Sequence, residues 1–350
     1  MNISDKNHEK GVKTEELIAA YFRKLGFYVI RGIDYLNKNN KITDIDLWLY
    51  MSSSAISKEI SIVDIKDRKK SHTYERILWT RGLQIAVGAN HAIIVTTEYG
   101  DDIIKYGKKI DVTVLNGEFI SKLKKAELVE NRITDEDLDL LIKNNTFGKI
   151  DGDYRQRLFE CKATLCDKIS YDSINLILIH TNYFANQVIM RPKIKEIPLR
   201  LFYRCLSILC IAIDYVSKDL MFLEKSSRYK ILYGGFTYGD GGIEKIDSSI
   251  NQGLQLIEQY SGLKDFNPSV SKINILKVFE DLNTSIIAEY FSEINVLQNM
   301  FKSAIKFENM SMTNKELNTY DGDIELKSII GSLLDFWKLD RKQFGLVKSE

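Results

Sequence analysis

Proline, cysteine and histidine are scarce, since the 350-residue chain has three, four and four of them. Four cysteines, at positions 161, 166, 205 and 210, are too few for a disulfide framework and indicate reduced thiols in a cytoplasmic protein. Their C-x4-C spacings could suggest zinc, but residues five apart on a helix do not share a face, and His180 is the only histidine in that half. We therefore predict core cysteines rather than a zinc site.

Long hydrophobic runs are also missing. The most apolar stretch, LFYRCLSILCIAIDYVSKDLMFL, is interrupted by Arg204 and Asp214, which makes it too short for a membrane span and predicts a buried helix. The start, MNISDKNHEK, is too polar for a signal peptide. With 44% hydrophobic and 28% charged residues, the composition is that of an ordinary globular protein, and we expect no membrane partner.

Net charge is near zero for the whole chain but not for its parts. Residues 1–125 carry 21 Lys and Arg against 16 Asp and Glu, a net charge of +5, whereas the remainder carries 28 against 32, a net charge of −4. A basic excess helps a domain approach a polyanion, although it also describes an ordinary solvated face.

The order of predicted elements changes near residue 126. Before it, helical and strand patterns alternate, which predicts an α/β domain over 1–126 that is separable from the rest. After it, amphipathic patterns predict a mainly α-helical domain over 127–350, with the three prolines between helices and Thr134 as an N-cap. These helices are predicted over 133–145, 151–168, 172–190, 199–224, 244–261, 270–306 and 323–338.

Acidic residues lie in two segments that have the pattern of strands, TDIDLWLY and EISIVDIK. Side chains of a strand alternate between faces, so Asp44 and Asp46 share one face, and Asp64 and Lys66 likewise fall together. Carboxylates and an ammonium on neighbouring strands suit a metal-dependent catalytic site. They also suit an ion-pair ladder on an edge strand, and both interpretations stay open at this point.

The first predicted helix, over 11–25, adds a further acid. Glu15 lies on the same stripe as the apolar residues Ile18, Phe22 and Leu25, whereas Glu16 is predicted to be solvated. An acid on an apolar stripe is costly unless it is paired or bound to a metal. Glu15 is therefore either a functional residue or a salt-bridged structural one.

The order of these features, followed by a helix with Gln84, resembles the PD-(D/E)xK nucleases, and within them the Mrr-like restriction endonucleases. The likeness covers about residues 8–125 and includes DIDL, VDIK, AIIVTT and the closing DVTVLNGEFISKLKK, together with Gly11 and Gly26. The chain departs from the family pattern in two ways. No proline precedes the first acid, and Asp rather than Glu stands before x-Lys.

The resemblance implies a restriction-endonuclease-like fold and a Mg²⁺-dependent endonuclease that hydrolyses phosphodiester bonds in DNA, with a role in restriction or defence against foreign DNA. Mn²⁺ can substitute for Mg²⁺ in such sites. Asp44 could share or replace the role of Asp46. The resemblance implies that Asp46 and Asp64 are the family's metal-binding acids and that Lys66 is its catalytic lysine. It likewise implies that Glu15 is the family's helix acid and Gln84 its helical glutamine.

Residues beyond the second acidic strand are candidates for substrate contact. Arg68, Lys69 and Lys70 suit contacts to phosphates, or belong to a solvated loop. His72 and Tyr74 follow them and could also touch the substrate.

The alternative function is a non-cleaving nucleic-acid-binding or assembly module on the same fold. Retention of both acids and the lysine favours the enzyme, because an acid cluster repels phosphate. The helical half is expected to regulate, recognise or oligomerise, through a protein partner or by self-association. Its segment YGGFTYGDGGIEKI lacks the Gly-Lys-Ser/Thr ending of a P-loop and is predicted to be a turn or hairpin rather than a nucleotide site.

Overall fold

The computed structural model describes residues 3–38, 40–66, 72–126, 128, 130–145, 149, 152–262, 266–317, 319 and 323–346, and of residues 3–11 only the backbone. A mixed five-stranded sheet with helices is followed by a mainly helical region. The predicted order of an α/β part and then a helical part is thus confirmed. Across the described ranges, no helix is both long and apolar enough to cross a membrane.

The N-terminal part holds one sheet with the strand order β1-β2-β3-β4-β5. The first three strands are antiparallel, and β3, β4 and β5 are parallel. Parallel neighbours need a crossover, which α2 and α3 supply. The elements are α1 (Ile3–Lys24), β1 (Tyr28–Asn37), β2 (Asn40–Ser52), β3 (Lys58–Lys66), α2 (Thr73–Ala86), β4 (His91–Thr96), α3 (Asp101–Lys109), β5 (Val112–Leu115) and α4 (Gly117–Lys125).

The C-terminal part consists of helices joined by short connections. Thr134 caps the first of them in a capping box with Asp137, as its position predicts. Short 3₁₀ turns lie at Pro192–Ile194 and Gly239–Gly241. The helices are α5 (Asp135–Asn144), α6 (Tyr154–Ala163), α7 (Tyr171–Met190), α8 (Glu196–Ser217), α9 (Lys225–Tyr238), α10 (Gly242–Tyr260), α11 (Pro268–Glu280), α12 (Thr284–Ser292), α13 (Ile294–Ser311), α14 (Ile324–Phe336) and α15 (Arg341–Phe344).

Two predictions about the helical part are wrong in detail. The single helix predicted over 270–306 is three helices, α11, α12 and α13, because apolar periodicity continues across the turns between them. The predicted turn at YGGFTYGDGG begins inside α9. Within that helix the backbone of Gly235 packs on the ring of Tyr171, which leaves no space for a side chain and explains a glycine inside a helix.

Helices cover both faces of the sheet. On one face, Leu47 and Leu49 of β2 pack with Ile18 and Phe22 of α1. On the other, Trp48 and Tyr50 belong to a larger core that includes α2 and the helices of the C-terminal part. Nearly every residue of α8 is buried, so this helix is the centre of the molecule, and all four cysteines are buried as predicted.

Buried polar contacts join the sheet to α8. The hydroxyls of Tyr28 and Ser207 lie 2.8 Å apart, and the Tyr50 hydroxyl donates to Asp214 at 2.6 Å. Lys58 donates to the other oxygen of Asp214 at 2.8 Å. The change near residue 126 therefore separates two kinds of architecture that share one core.

Candidate active site

Asp46 and Asp64 meet where β2 and β3 diverge. Leu47 and Val63 form the pair of this ladder nearest the site, and past it the Asp46 carboxylate accepts a hydrogen bond from the Ile65 backbone N–H at 2.6 Å. A side chain thus takes the place of a strand carbonyl. This hydrogen bond holds the Asp46 carboxylate beside Ile65 of β3.

Lys66 completes the group. Its Nζ lies 3.3 Å from Oδ1 of Asp64 and 3.8 Å from Oδ2 of Asp46. Asp64 is buried, whereas the Lys66 side chain is 31% exposed, so the ammonium sits at the open side of the two carboxylates. The three residues predicted to form the catalytic core are therefore brought together.

The Asp46 carboxyl has an unusual environment. Its pKa is raised to about 7, mainly by burial and also by the charges of Asp64 and Glu15, against the opposing effects of Lys66 and the Ile65 N–H, which lower it. A carboxyl that is desolvated and surrounded by other acids is stabilised by additional positive charge. This is the electrostatic condition under which a carboxylate pair attracts a cation.

Arg76 is a site residue that the sequence analysis missed. Its guanidinium donates to both carboxylate oxygens of Asp64, from Nε at 3.1 Å and from Nη2, and it stacks on the ring of Trp79. A residue in the first turn of the helix after a parallel strand lies near the carboxyl end of that strand. Its position near the start of α2, the helix that follows VDIK, was the available signal.

Glu15 is close to the acids but is held by an arginine. Arg31 of β1, which is 3% exposed, donates to Glu15 at 3.0 Å and to Glu16 at 2.8 Å. Glu136 of α5 also accepts from Arg31. The prediction of a solvated Glu16 is wrong, because its side chain is 24% exposed against 31% for Glu15 and it also pairs with Arg23.

Gln84 is not brought to the acids. Its side-chain amide donates to the backbone carbonyls of Ala89 and Asn90, in the turn before β4. The Asn90 backbone N–H donates to the backbone carbonyl of Ile60 on β3. Ile60 is four residues before Asp64 on that strand, so Gln84 lies about 13 Å along the strand from the acid. Gln84 therefore stabilises the α2–β4 turn, and the role carried over from the nuclease family does not fit its position.

The remaining candidates lie around the edge of the group. Asp44 is exposed and lies opposite Asp34 on β1, outside the stretch of β2 that pairs with β3. The side chain of His72 is 74% exposed and lies 3.8 Å from Glu75. Tyr74 is half-exposed and packs edge-on against a tyrosine of α3. Arg68, Lys69 and Lys70 lie outside the described residues.

The donor set fits Mg²⁺ better than a transition metal. Within the parts of the chain that the structure describes, no three His, Cys, Asp or Glu side chains are placed to hold a metal ion together. Mg²⁺ needs fewer protein ligands, since it keeps several waters and is bound through one or two carboxylates together with substrate phosphates. Asp46 and Asp64 are two such carboxylates.

The chain matches no family model, and no match was found among curated proteins or among solved structures.

Proposed function

We propose that this protein is a Mg²⁺-dependent endonuclease with a restriction-endonuclease-like fold of the PD-(D/E)xK type, acting on phosphodiester bonds in DNA. One observation carries the proposal. The carboxylates of Asp46 and Asp64, on two neighbouring strands, both lie within 4 Å of the Lys66 side-chain nitrogen. A role in restriction or defence rests on the family resemblance alone.

Each residue of the group has a role in phosphodiester hydrolysis. Asp46 and Asp64 would hold the ion, and a bound Mg²⁺ supplies charge neutralisation at the phosphate and acidifies water. Lys66, at the open side of the acids, is placed to orient or deprotonate the attacking water and to stabilise charge on the phosphate oxygens.

Arg76 connects the acid pair to the substrate in this proposal. Its guanidinium neutralises Asp64 in the absence of metal and has the planar geometry that binds phosphate through two hydrogen bonds. Transfer of Arg76 from Asp64 to a substrate phosphate would free the carboxylate as metal and DNA bind.

The same contact supports a second candidate, a non-cleaving nucleic-acid-binding module. The bidentate salt bridge from Arg76 supplies hydrogen bonds to both carboxylate oxygens of Asp64 and neutralises its charge without any metal. If that pair is permanent, the acids are structural and the basic residues around them bind phosphate only.

Cleavage and metal binding separate the two candidates. Purified protein is incubated with supercoiled plasmid, linear duplex, single-stranded DNA and RNA, in Mg²⁺, Mn²⁺ or EDTA. We expect metal-dependent cleavage, and we expect Asp64→Asn and Lys66→Ala each to slow it at least about a thousandfold, roughly 4 kcal/mol of barrier.

Asp44→Asn is the matched control, because it removes an exposed carboxylate from β2, the strand that carries Asp46, and should leave the rate nearly unchanged. Circular dichroism verifies the fold of each variant. Binding of DNA without cleavage, and without any rise in melting temperature on adding Mg²⁺ or Mn²⁺, would support the binding module and reject the enzyme.

A further inference from the structure

Both oxygens of the Asp64 carboxylate are already engaged by cationic side chains. Arg76 donates to Oδ2 of Asp64 from Nε at 3.1 Å and to Oδ1 from Nη2, and Nζ of Lys66 lies 3.3 Å from that same Oδ1. Oδ2 of Asp46 accepts from the Ile65 N–H at 2.6 Å. Three of the four carboxylate oxygens of the acid pair therefore have a donor from the protein itself.

The charges around the acid pair are also balanced. Asp46 and Asp64 carry two negative charges when both are ionised, and Lys66 and Arg76 beside them carry two positive charges. A divalent ion added to this group would lie next to two cations, and like charges repel strongly where water is scarce. The Asp64 side chain is only 7% exposed, so water does little to screen that repulsion. A metal ion therefore binds Asp64 well only if one of the two cations leaves.

Arg76 is the cation that is able to leave. Lys66 is two residues from Asp64 on the same strand, and its Nζ lies within 4 Å of both carboxylates. Arg76 reaches only Asp64, from the start of α2, and its side chain is 25% exposed. A planar guanidinium binds phosphate with the same two-point geometry as a carboxylate. A substrate phosphate is thus the kind of group that can take Arg76 from Asp64.

The ring of Trp79 holds the Arg76 guanidinium in place. Cζ of Arg76 lies 4.0 Å from the centroid of that ring, and the two residues are three apart on α2, so they share one side of the helix. Stacking covers a flat face of the guanidinium and leaves the N–H groups at its edge for a carboxylate or a phosphate. Trp79 is therefore a positioning residue that acts on the acid pair through Arg76.

We propose that Arg76, positioned by Trp79, excludes the metal ion from the acid pair until a substrate phosphate draws it away, so that Mg²⁺ and DNA bind together. This regulation rests on the proposed function and adds to it that the site has little affinity for metal when DNA is absent. Coupling between two ligands is reciprocal, so each ligand raises the affinity for the other by the same factor.

Binding of Mn²⁺ to the full chain without DNA, followed by electron paramagnetic resonance, tests the exclusion. Arg76→Gln should bind Mn²⁺ at least about tenfold more tightly than wild type, because Lys66 is then the one cation left at the acid pair. Arg81→Gln is the matched control, since it removes an arginine of the same helix that pairs with Asp111, and it should bind as wild type does. Trp79→Leu should also bind more tightly, and Trp79→Tyr, which keeps a ring, should restore the wild-type affinity. Circular dichroism verifies the fold of each variant.

Binding of DNA gives a second measurement of the same coupling. In a Lys66→Ala background, for which slow cleavage is expected, fluorescence anisotropy follows the binding of a labelled duplex with and without Mn²⁺. We expect Mn²⁺ to tighten DNA binding in this background. Adding Arg76→Gln should remove most of that effect, because the metal ion no longer waits for the phosphate.

The outcomes separate this inference from the proposed function. Tight Mn²⁺ binding by wild type without DNA, unchanged in Arg76→Gln, would overturn the exclusion and leave the nuclease proposal standing. Equal affinities of Trp79→Leu and Trp79→Tyr would reject Trp79 as the positioning residue. If neither wild type nor Arg76→Gln binds Mn²⁺, with or without DNA, the acid pair is not a metal site and the proposed function fails as well.

Discussion

A group of buried and half-buried charges joins the helices of the C-terminal part to one another. Asp135 of α5 lies 3.5 Å from Lys162 and 3.4 Å from Arg204, and Arg204 also donates to Glu308 at 2.6 Å. Burial alone would raise the pKa of Asp135, but these cations hold that pKa well below its usual range. Removal of one member leaves its partners charged and buried, which costs more than the pair itself contributes.

Asp135→Asn should therefore be strongly destabilising at neutral pH, by about 3–5 kcal/mol in the free energy of unfolding. The unfolded state binds more protons than the folded state at acidic pH, so the contribution of Asp135 is present above about pH 4 and is lost as the pH falls below it. Urea unfolding between pH 3 and 8 should show a flatter pH dependence for the variant. Asp139→Asn, which removes a more exposed pair on the same helix, should cost less than about 1 kcal/mol.

At the scale of elements, helix α9 is held against α7 by a glycine contact. A side chain at Gly235 would overlap the ring of Tyr171, whereas Gly234, its neighbour in the same helix, has open space around it. The two glycines have the same helical backbone and differ in what they face. Substituting alanine at Gly234 therefore measures the gain in helix propensity alone, whereas the same substitution at Gly235 also measures the cost of overpacking.

Gly235→Ala should destabilise the protein by about 1–3 kcal/mol, because the added methyl displaces the Tyr171 ring. Gly234→Ala should instead stabilise it by roughly 0.5–1 kcal/mol, since alanine restricts the unfolded chain more than glycine does. Chemical denaturation of both variants checks the difference. Equal effects of the two substitutions would show that α9 does not pack on Tyr171 as described.

At the scale of the whole molecule, the sheet depends on the helical part for one of its faces. Trp48, Tyr28 and Tyr50 are almost fully buried in a core that continues into α8, and Lys58 finds its buried partner there. Exposure of these three aromatic side chains would cost on the order of 10 kcal/mol, which is as much as a typical domain's whole stability.

Residues 1–126 expressed alone should therefore be insoluble or lack a cooperative melting transition. The sequence-based prediction of a separable domain expects a soluble fragment, and the same experiment distinguishes the two. Coexpression with residues 127–350 should recover a soluble complex of the two fragments. Near-ultraviolet circular dichroism and thermal melting give the comparison. A soluble 1–126 fragment that melts cooperatively would mean that α8 is dispensable for the sheet.

What the sequence determined by itself was local. Period-two alternation in TDIDLWLY and VDIK predicted the strands that carry Asp46 and Asp64, and helical periodicity with a cap at Thr134 predicted α5, because these patterns depend only on neighbouring residues. The approach of Lys66 to Asp64 followed in the same way, since the two residues are two apart on one strand.

Contacts between residues distant along the chain were decided only by the tertiary structure. The pairing of Arg76 with Asp64 depends on how α2 returns over the sheet, and the separation of Gln84 from the acids depends on the direction of that same helix. The common core of the sheet and α8 arises because both strand faces must be covered, and a strand's own sequence does not specify which helix covers it. Nor does the amphipathic pattern of α10 and α11 distinguish a helix that packs within its own chain from one whose apolar side chains remain exposed.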